Sequence, residues 1–435
     1  MAESKFGVSV AGMALAFLAV FIGVLVQIAP EFLQGALRVL FILAPVWLPI
    51  LLALIFWRLW IKYLRMRFIH TQKYSVLEIR IPREIRKSPL AMEAVLSGLH
   101  ISIGETTFVA RNFEGKVRTW YSFELVSIDG NIHFFIWTRD FFKELIKSQI
   151  YAQYPEVEVH EVEDYTKAVP FDLARYSYWG CDFKLNEPDP YPIKTYIDYG
   201  LDNPAAKEEE KTNPLASVIE FLGSLPKGHQ VWLQILAQTH KGPKKWPWSK
   251  RHGVKEQAEA IVEGILKKSS ERTQKITGPD EDEHGMRTMT LTEGEREKIK
   301  ALDRSVSKLA FDAGVRGIYL AEKDKFNPIF LVGLLGVWKQ FGSAHLNGFT
   351  ITRYMAAFDY PWQDFRQIRQ NRAKRHIYEA YRLRSWFHEP YKTPSYVLNT
   401  EELATIFHFP GEVVKTPTAP RIPSRRAEPP ANLPT

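Results

Sequence analysis

Charged residues are missing from two long stretches near the start of the chain and regularly spaced through most of the rest. None lies between Lys5 and Glu31, where the run reads FGVSVAGMALAFLAVFIGVLVQIAP, and none lies between Val39 and Trp57, VLFILAPVWLPILLALIFW. At about 1.5 Å of rise per residue, roughly 20 residues cross a hydrocarbon core of about 30 Å, so both runs are long enough to span one. The first run is longer than the apolar region of about 7–15 residues in a cleaved signal, and its start, Met1-Ala-Glu-Ser-Lys5, lacks a basic cluster. Pro45 and Pro49 would break a soluble helix but are tolerated where lipid enforces backbone hydrogen bonding. Arg58, Lys62, Arg65 and Arg67 follow at once, a cluster that stays on the cytoplasmic side, and Trp57 and Trp60 suit the interfacial belt. Residues 1–68 are therefore expected to form a two-helix transmembrane hairpin. Glu31–Arg38 would be its loop on the far side, and everything after residue 60 would be cytoplasmic.

Past this anchor the pattern becomes that of a folded body. Val76–Ile81 alternates, with Leu77, Ile79 and Ile81 on one face and Glu78 and Arg80 on the other, as in a half-buried strand. Ser88-Pro89 opens a helix carrying Met92, Val95, Leu96 and Leu99. Two alternating runs, Val117–Ser127 and Asn131–Trp137, flank Asp129-Gly130, a hairpin signal. Asp140 caps a second helix with Phe141, Phe142, Leu145, Ile146 and Ile150, and Val157 and Val159 mark a last strand. Strand-helix-strand-strand-helix-strand is the ferredoxin-like order, predicted over residues 74–165.

Residues 170–360 follow the same order less regularly. Strands are expected near Tyr178–Lys184, Gln230–Gln238, Gly317–Ala321 and Phe349–Ala357, with helices at Pro214–Leu225 and Asn327–Phe341. Lys255–Lys268 and Gly294–Ala310 read as a helical hairpin inserted at about 253–312, split by the acidic loop Gly278–Gly285. A basic helix and a short helix near Glu401–His408 occupy 361–410. From 411 to 435 the prolines crowd together, and such a segment cannot bury a core. The predicted fold is α+β: a two-helix transmembrane hairpin, two ferredoxin-like units, the second with a helical insertion, and a disordered Pro-rich tail.

Composition changes this picture little. The 435 residues are 46% hydrophobic and 24% charged, which are globular proportions, and the length calls for more than one soluble core. One cysteine, Cys181, excludes an intrachain disulfide and a multi-cysteine zinc site. The net charge of +8 is concentrated: Trp362–His388 holds Arg366, Arg369, Arg372, Lys374, Arg375, Arg382 and Arg384 against Asp364 and Glu379. A basic surface favours nucleic acid or anionic lipid, although a solvated helix face gives the same pattern.

Candidate chemistry is sparse. Gly333-Leu-Leu-Gly336-Val-Trp-Lys339 has the wrong spacing for a phosphate-binding loop, and neither HExxH nor GxSxG occurs. His133 and Cys181 fit packed structural roles, and Asp280–Glu283 lacks calcium-loop spacing. No nucleophile, base and orienting group stand out together, so no enzyme activity, cofactor or metal is expected. Two features could bind a partner. The loop His240–Gly253 interleaves Lys244, Lys245, Lys250 and Arg251 with Trp246 and Trp248, cations for phosphates and indoles for bases or lipid headgroups. The basic helix offers Arg369, Arg372 and Arg375, with Phe365, Ile368, Ile377, Tyr381 and Trp386 on a docking face.

The stretch from Val397 to Gly411, VLNTEELATIFHFPG, followed by Thr416-Pro417, Arg421-Ile422 and Ala427–Pro434, resembles the stretch ahead of the nucleotide-binding domain in bacterial HerA/FtsK-like, conjugation-type ATPases. The membrane hairpin and the unit from Val76 to Asp164 look like the uncharacterised N-terminal region of the same group. The resemblance implies a place in type IV secretion or DNA transfer at the plasma (inner) membrane. The chain stops at Thr435, ahead of any phosphate-binding loop, so no ATP-binding residue carries over and the motor is expected on another polypeptide. The expected function is a non-enzymatic, membrane-anchored adaptor partnering a HerA/FtsK-like ATPase, with DNA contact and homo-oligomerisation open. A membrane-tethered module binding nucleic acid or anionic lipid is the alternative.

Overall fold

The computed structural model describes residues 30–82, 87–105, 107–203, 212–242, 253–277, 291–354 and 364–410, together with Phe17, Val20 and Trp362. The first apolar run, apart from Phe17, Val20 and Pro30, lies outside these residues. So do the lysine-tryptophan loop from Lys244 to Arg251, the acidic loop and the Pro-rich tail.

The second apolar run belongs to one helix, α1 (Pro30–Thr71), 42 residues and therefore about 63 Å long. Glu31–Arg38, expected as a loop, is its first two turns: nothing in that segment breaks a helix once Pro30 sits at its start, where a missing N–H costs nothing. Leu37–Thr71 is long and apolar enough to cross a membrane, and none of its most apolar stretch is buried. Among the described residues nearly all of Val39–Leu59 is exposed, with Phe113 of the body reaching it at Trp57. Inside it the Trp47 indole donates to the Leu40 carbonyl (3.0 Å), close to Pro45 and Pro49.

Only Gln72 and Lys73 separate α1 from β1 (Tyr74–Arg80). Then come α2 (Pro89–Gly98), the short α3 (Phe108–Asn112), β2 (Trp120–Ile128), β3 (Asn131–Arg139), α4 (Lys143–Gln153) and β4 (Glu158–Val162). The turn between β2 and β3 is at Asp129-Gly130, where both residues have positive φ, +55° and +82°. The second half runs β5 (Tyr176–Leu185), α5 (Pro214–Gly223), β6 (His229–Thr239), α6 (Val254–Thr277), α7 (Glu293–Ser307), β7 (Ala310–Glu322), α8 (Ile329–Gly336) and β8 (Phe349–Tyr354). It is followed by α9 (Ile368–Arg382), β9 (Tyr396–Asn399) and α10 (Thr400–Ile406).

The strands form one sheet in the order β4-β1-β3-β2-β6-β7-β5-β8, antiparallel throughout, with β9 beside the first residues of β7. Each half contributes four strands in the same relative order, the second half reversed. They meet at β2 and β6, where Trp120 pairs with Gln238 and Ile128 with Gln230. The seam makes the sheet continuous, so the two halves have no separate boundary at this point. β7 is longer than the expected Gly317–Ala321 because β6 pairs with it from Phe311 to Ala321, and its first residues gain β9 as a second neighbour.

One face carries α2, α4, α5, α8 and α10 over an apolar core that includes Leu77, Phe123, Ile136, Leu233 and Val315. In α8, Gly333 lies against the ring of Phe221, a helix-packing position in the glycine pattern that lacks phosphate-loop spacing. The other face is aromatic (Trp120, Phe135, Trp137, Trp232) and is covered by Ile377, Tyr378 and Tyr381 of α9 and by Trp386 beyond it. The basic helix is shorter than Trp362–His388: it ends at Arg382, and Arg384 adopts a left-handed backbone, φ +48°.

Candidate functional site

Strand directions give the body two distinct ends. The start of β1 follows α1, and by register the start of β2, the end of β3, the end of β6 and the start of β7 lie at the same end. Here the last turns of α1 are clamped to the sheet. Tyr74 donates its hydroxyl to the Ile69 carbonyl (3.1 Å), the Arg139 guanidinium sits 5.3 Å from the Phe68 ring centre, and Lys62 faces Glu389 at 3.7 Å. Gly115, with φ +67°, approaches the Leu64 backbone so closely that a side chain would collide with it.

Between α1, the β1–β3 surface and the loop after α9 lies a cleft of about 830 Å³. Tyr63, Met66 and Ile69 form one wall and Trp120 and Trp137 another, while Phe387 and Pro390 line the loop side. Tyr74 stacks on Trp137 at 4.4 Å, and Trp120 lies 5.6 Å from both Trp137 and His388. Arg67 and Lys167 stand with Glu161 and Glu163 among its charged residues, beside His70. An apolar, aromatic hollow with charges of both signs suits an amphipathic occupant.

The floor is held by buried charge. Glu124 of β2 and Arg384 are both enclosed, joined by two hydrogen bonds of 3.0 and 3.2 Å. Arg384 also binds both carboxylate oxygens of Asp164. Tyr165 donates to Glu124 (2.8 Å) and Gln234 of β6 donates to the same carboxylate (3.2 Å), so one cluster ties both halves to the loop after α9. Burial works against the charge on Arg384, but Glu124 and Asp164 hold it protonated well above the usual range. Burial likewise opposes ionisation of Asp164, and Arg384 overrides it to keep that carboxyl below its ordinary value.

A second enclosed pair, Arg316–Asp182 (2.6 Å), fixes the neighbouring Ser385 carbonyl and lies 5.0 Å from the centre of the Trp386 ring. His388 is kept neutral, pushed down to about 3 by burial and then by Arg65, Arg118, Arg139 and Lys392. Burial also lowers Arg139 and raises the Tyr121 hydroxyl to about 12.

The structure separates the residues singled out in the sequence. Arg58 is exposed on α1, and Lys62, Arg65 and Arg67 follow on its last turns, with Lys62 and Arg67 exposed. Arg372 and Arg375 are exposed on α9 and Arg369 is half-buried. The N-terminal half of α9 lies toward the opposite end of the sheet, where Lys374 is lowered first by burial and then by Lys323, just past the end of β7. Arg384, counted in sequence as surface charge, is buried and paired, and Arg382 pairs with Glu379 (2.8 Å), so the basic face is smaller than the count implies. Lys244, Lys245, Trp246, Trp248, Lys250 and Arg251 lie outside the described residues. Sequence reading missed the cleft and the Glu124–Arg384–Asp164 cluster. The only local sign was a carboxylate at a centre position of a strongly apolar strand.

A family model described as a domain of unknown function, DUF8128, matches residues 66–421, most of the chain and all of the sheet. The chain belongs to that family. No curated protein matches it.

Proposed function

We propose that this DUF8128-family chain is a non-enzymatic, membrane-anchored adaptor of a type IV secretion-like or DNA-translocation system, partnering a HerA/FtsK-like ATPase. Each half of the sheet is a ferredoxin-like unit in this reading, the first sixty residues are a two-helix hairpin, and the body is cytoplasmic. The observation that carries the proposal is the direct, clamped entry of α1 into β1 through Gln72 and Lys73. A spanning helix joined in this way holds the body at a fixed attitude to the bilayer, as a docking platform requires.

The ATPase enters through the resemblance of Val397–Gly411. Residues 396–406 form β9 and α10, and Phe407 and Phe409 are buried against Phe134. A motor engaged beyond Pro410 would therefore pull on the sheet itself. Co-expression with a HerA/FtsK-like ATPase, carbonate washing and detergent purification test both parts. The expected result is a carbonate-resistant chain that retains the ATPase. Release by carbonate would remove the anchor, and an ATPase absent from a carbonate-resistant preparation would remove the adaptor role.

A membrane-tethered module binding nucleic acid or anionic lipid is the second reading, and one contact favours it. Lys241 donates to the Glu105 carbonyl (3.3 Å), and the described chain after β6 stops at Gly242, at the α1 end of the sheet. Salt-sensitive binding of labelled DNA or retention of anionic lipid by the full chain in nanodiscs is expected. Binding unaffected by Lys244→Glu, Lys245→Glu and Lys250→Glu together would dismiss it.

A further inference from the structure

We infer that the short helix α3 with Phe113, together with Ile103, is a second membrane contact, resting in the lipid interface beside α1. This rests on the reading of α1 as a spanning helix. Ile103, Phe108, Val109 and Phe113 are exposed, with Phe108 61% and Val109 55% accessible, although Ala110 and Asn112 of the same short helix are buried. Its polar start is satisfied, since Thr107 accepts from the Ala110 amide (3.1 Å). The outward apolar face is therefore a property of an ordered element.

Two contacts set its height. The Phe113 ring meets Trp57 edge-on at 5.9 Å, and Gly115 lies against the Leu64 carbonyl. Trp57 is the last residue of the uncharged stretch of α1, and Arg58 is the first cation after it. That boundary between apolar and basic positions is where a spanning helix meets the headgroups. Phe108 stacks obliquely near Phe113 (6.2 Å), which continues the apolar surface of α1 sideways from Trp57 onto α3. A face of this kind, level with the interface and continuous with the lipid-facing surface of the helix, fits the acyl-headgroup boundary. Exposed Ile329 and Val332 of α8 have no such neighbour: α8 follows the end of β7 away from α1.

The test uses the full chain in vesicles containing lipid brominated on its acyl chains, with single cysteines carrying a fluorescent label; the native Cys181 is buried and out of reach. Phe108→Cys and, independently, Val109→Cys are expected to lose about half their fluorescence, as groups sitting about 5–10 Å into the boundary do. Trp47→Cys on α1 should be quenched at least as strongly and Val332→Cys hardly at all. Unquenched labels at 108 and 109 with a quenched label at 47 would overturn the inference and leave the anchor standing. An unquenched label at 47 would overturn both, and equal quenching at 332 would show the signal to be unspecific and remove its support.

Discussion

The face of the sheet beneath α2, α4, α5, α8 and α10 and the face beneath α9 bury the same strands with different chemistry. The first is filled mainly by apolar side chains such as Leu77, Val95, Leu222, Leu233 and Phe123, which gain by area, and its enclosed carboxylates, Glu93, Glu401 and Glu402, sit on the helices α2 and α10 and not on the strands. The second combines tryptophan and tyrosine rings with the enclosed charges of Glu124, Asp182, Arg316 and Arg384. Charges out of water must be matched partner by partner, so this face fixes a geometry more than it supplies stability. The geometry it fixes is the loop after α9, one wall of the cleft against α1.

If that distinction holds, truncating an arginine on the α9 side costs most. Arg384→Ala leaves Glu124 uncompensated inside the sheet, and a loss of about 5 kcal/mol is expected from denaturant unfolding of the full chain in nanodiscs. Arg316→Ala strands only Asp182 and should cost about 4 kcal/mol by the same measurement. On the aliphatic face, Leu233→Ala opens a cavity worth about 3 kcal/mol. A Leu233→Ala loss exceeding that of Arg384→Ala would break the comparison.

The histidines sharpen it. His388 on the α9 side is pushed down to about 3, and His408 on the aliphatic side, where its ring contacts Asn213 and the Ala404 carbonyl, to about 4. An unfolded histidine titrates near 6.5, so between about pH 6.5 and 4 the unfolded chain holds more protons. Stability therefore rises with pH across that window and is lost on acidification, by about 1–2 kcal/mol per histidine at pH 5. Melting followed from pH 7 to pH 5 should show a shallower slope in His388→Gln and in His408→Gln. At pH 7 His408→Gln should lose more stability than His388→Gln, because the Nε2 of His388 has no hydrogen-bond partner among the described residues and its ring only packs beside Trp120.

The smallest effect expected is that of the double variant Arg316→Met, Asp182→Leu. Replacing a buried pair as a unit removes its desolvation cost together with its attraction, so stability should stay within about 1 kcal/mol of the parent. Thermal unfolding of the double variant beside Arg316→Ala measures this. A double variant as unstable as the single one would show that the pair contributes net stability as well as position.

Legibility in the sequence followed the range of the interactions. The alternation of Val76–Ile81, the Ser88-Pro89 start and the Asp129-Gly130 turn were readable because each depends on neighbours within a few residues, and each reappears as β1, α2 and the β2–β3 turn. The α6–α7 insertion was readable for the same reason. β9 was not: Val397 and Leu398 alternate with nothing over so short a run, and they become a strand only because the first residues of β7 offer a free edge. Among the candidate contact residues, sequence identified exposed cations on α9 but could not know that the same basic run turns inward at Arg384.

By itself the sequence determined what the strongly patterned segments are. A run without charge must be an oily helix, and period-two runs flanked by turn residues must be strands, since backbone geometry and water act on a few residues at a time. The tertiary structure alone decided that β2 and β6 join the halves into one sheet, that Glu124 and Arg384 meet across 260 positions, and that a cleft opens beside α1. Those outcomes depend on which surfaces come into contact, and a carboxylate placed among apolar neighbours does not say in sequence which distant cation will answer it.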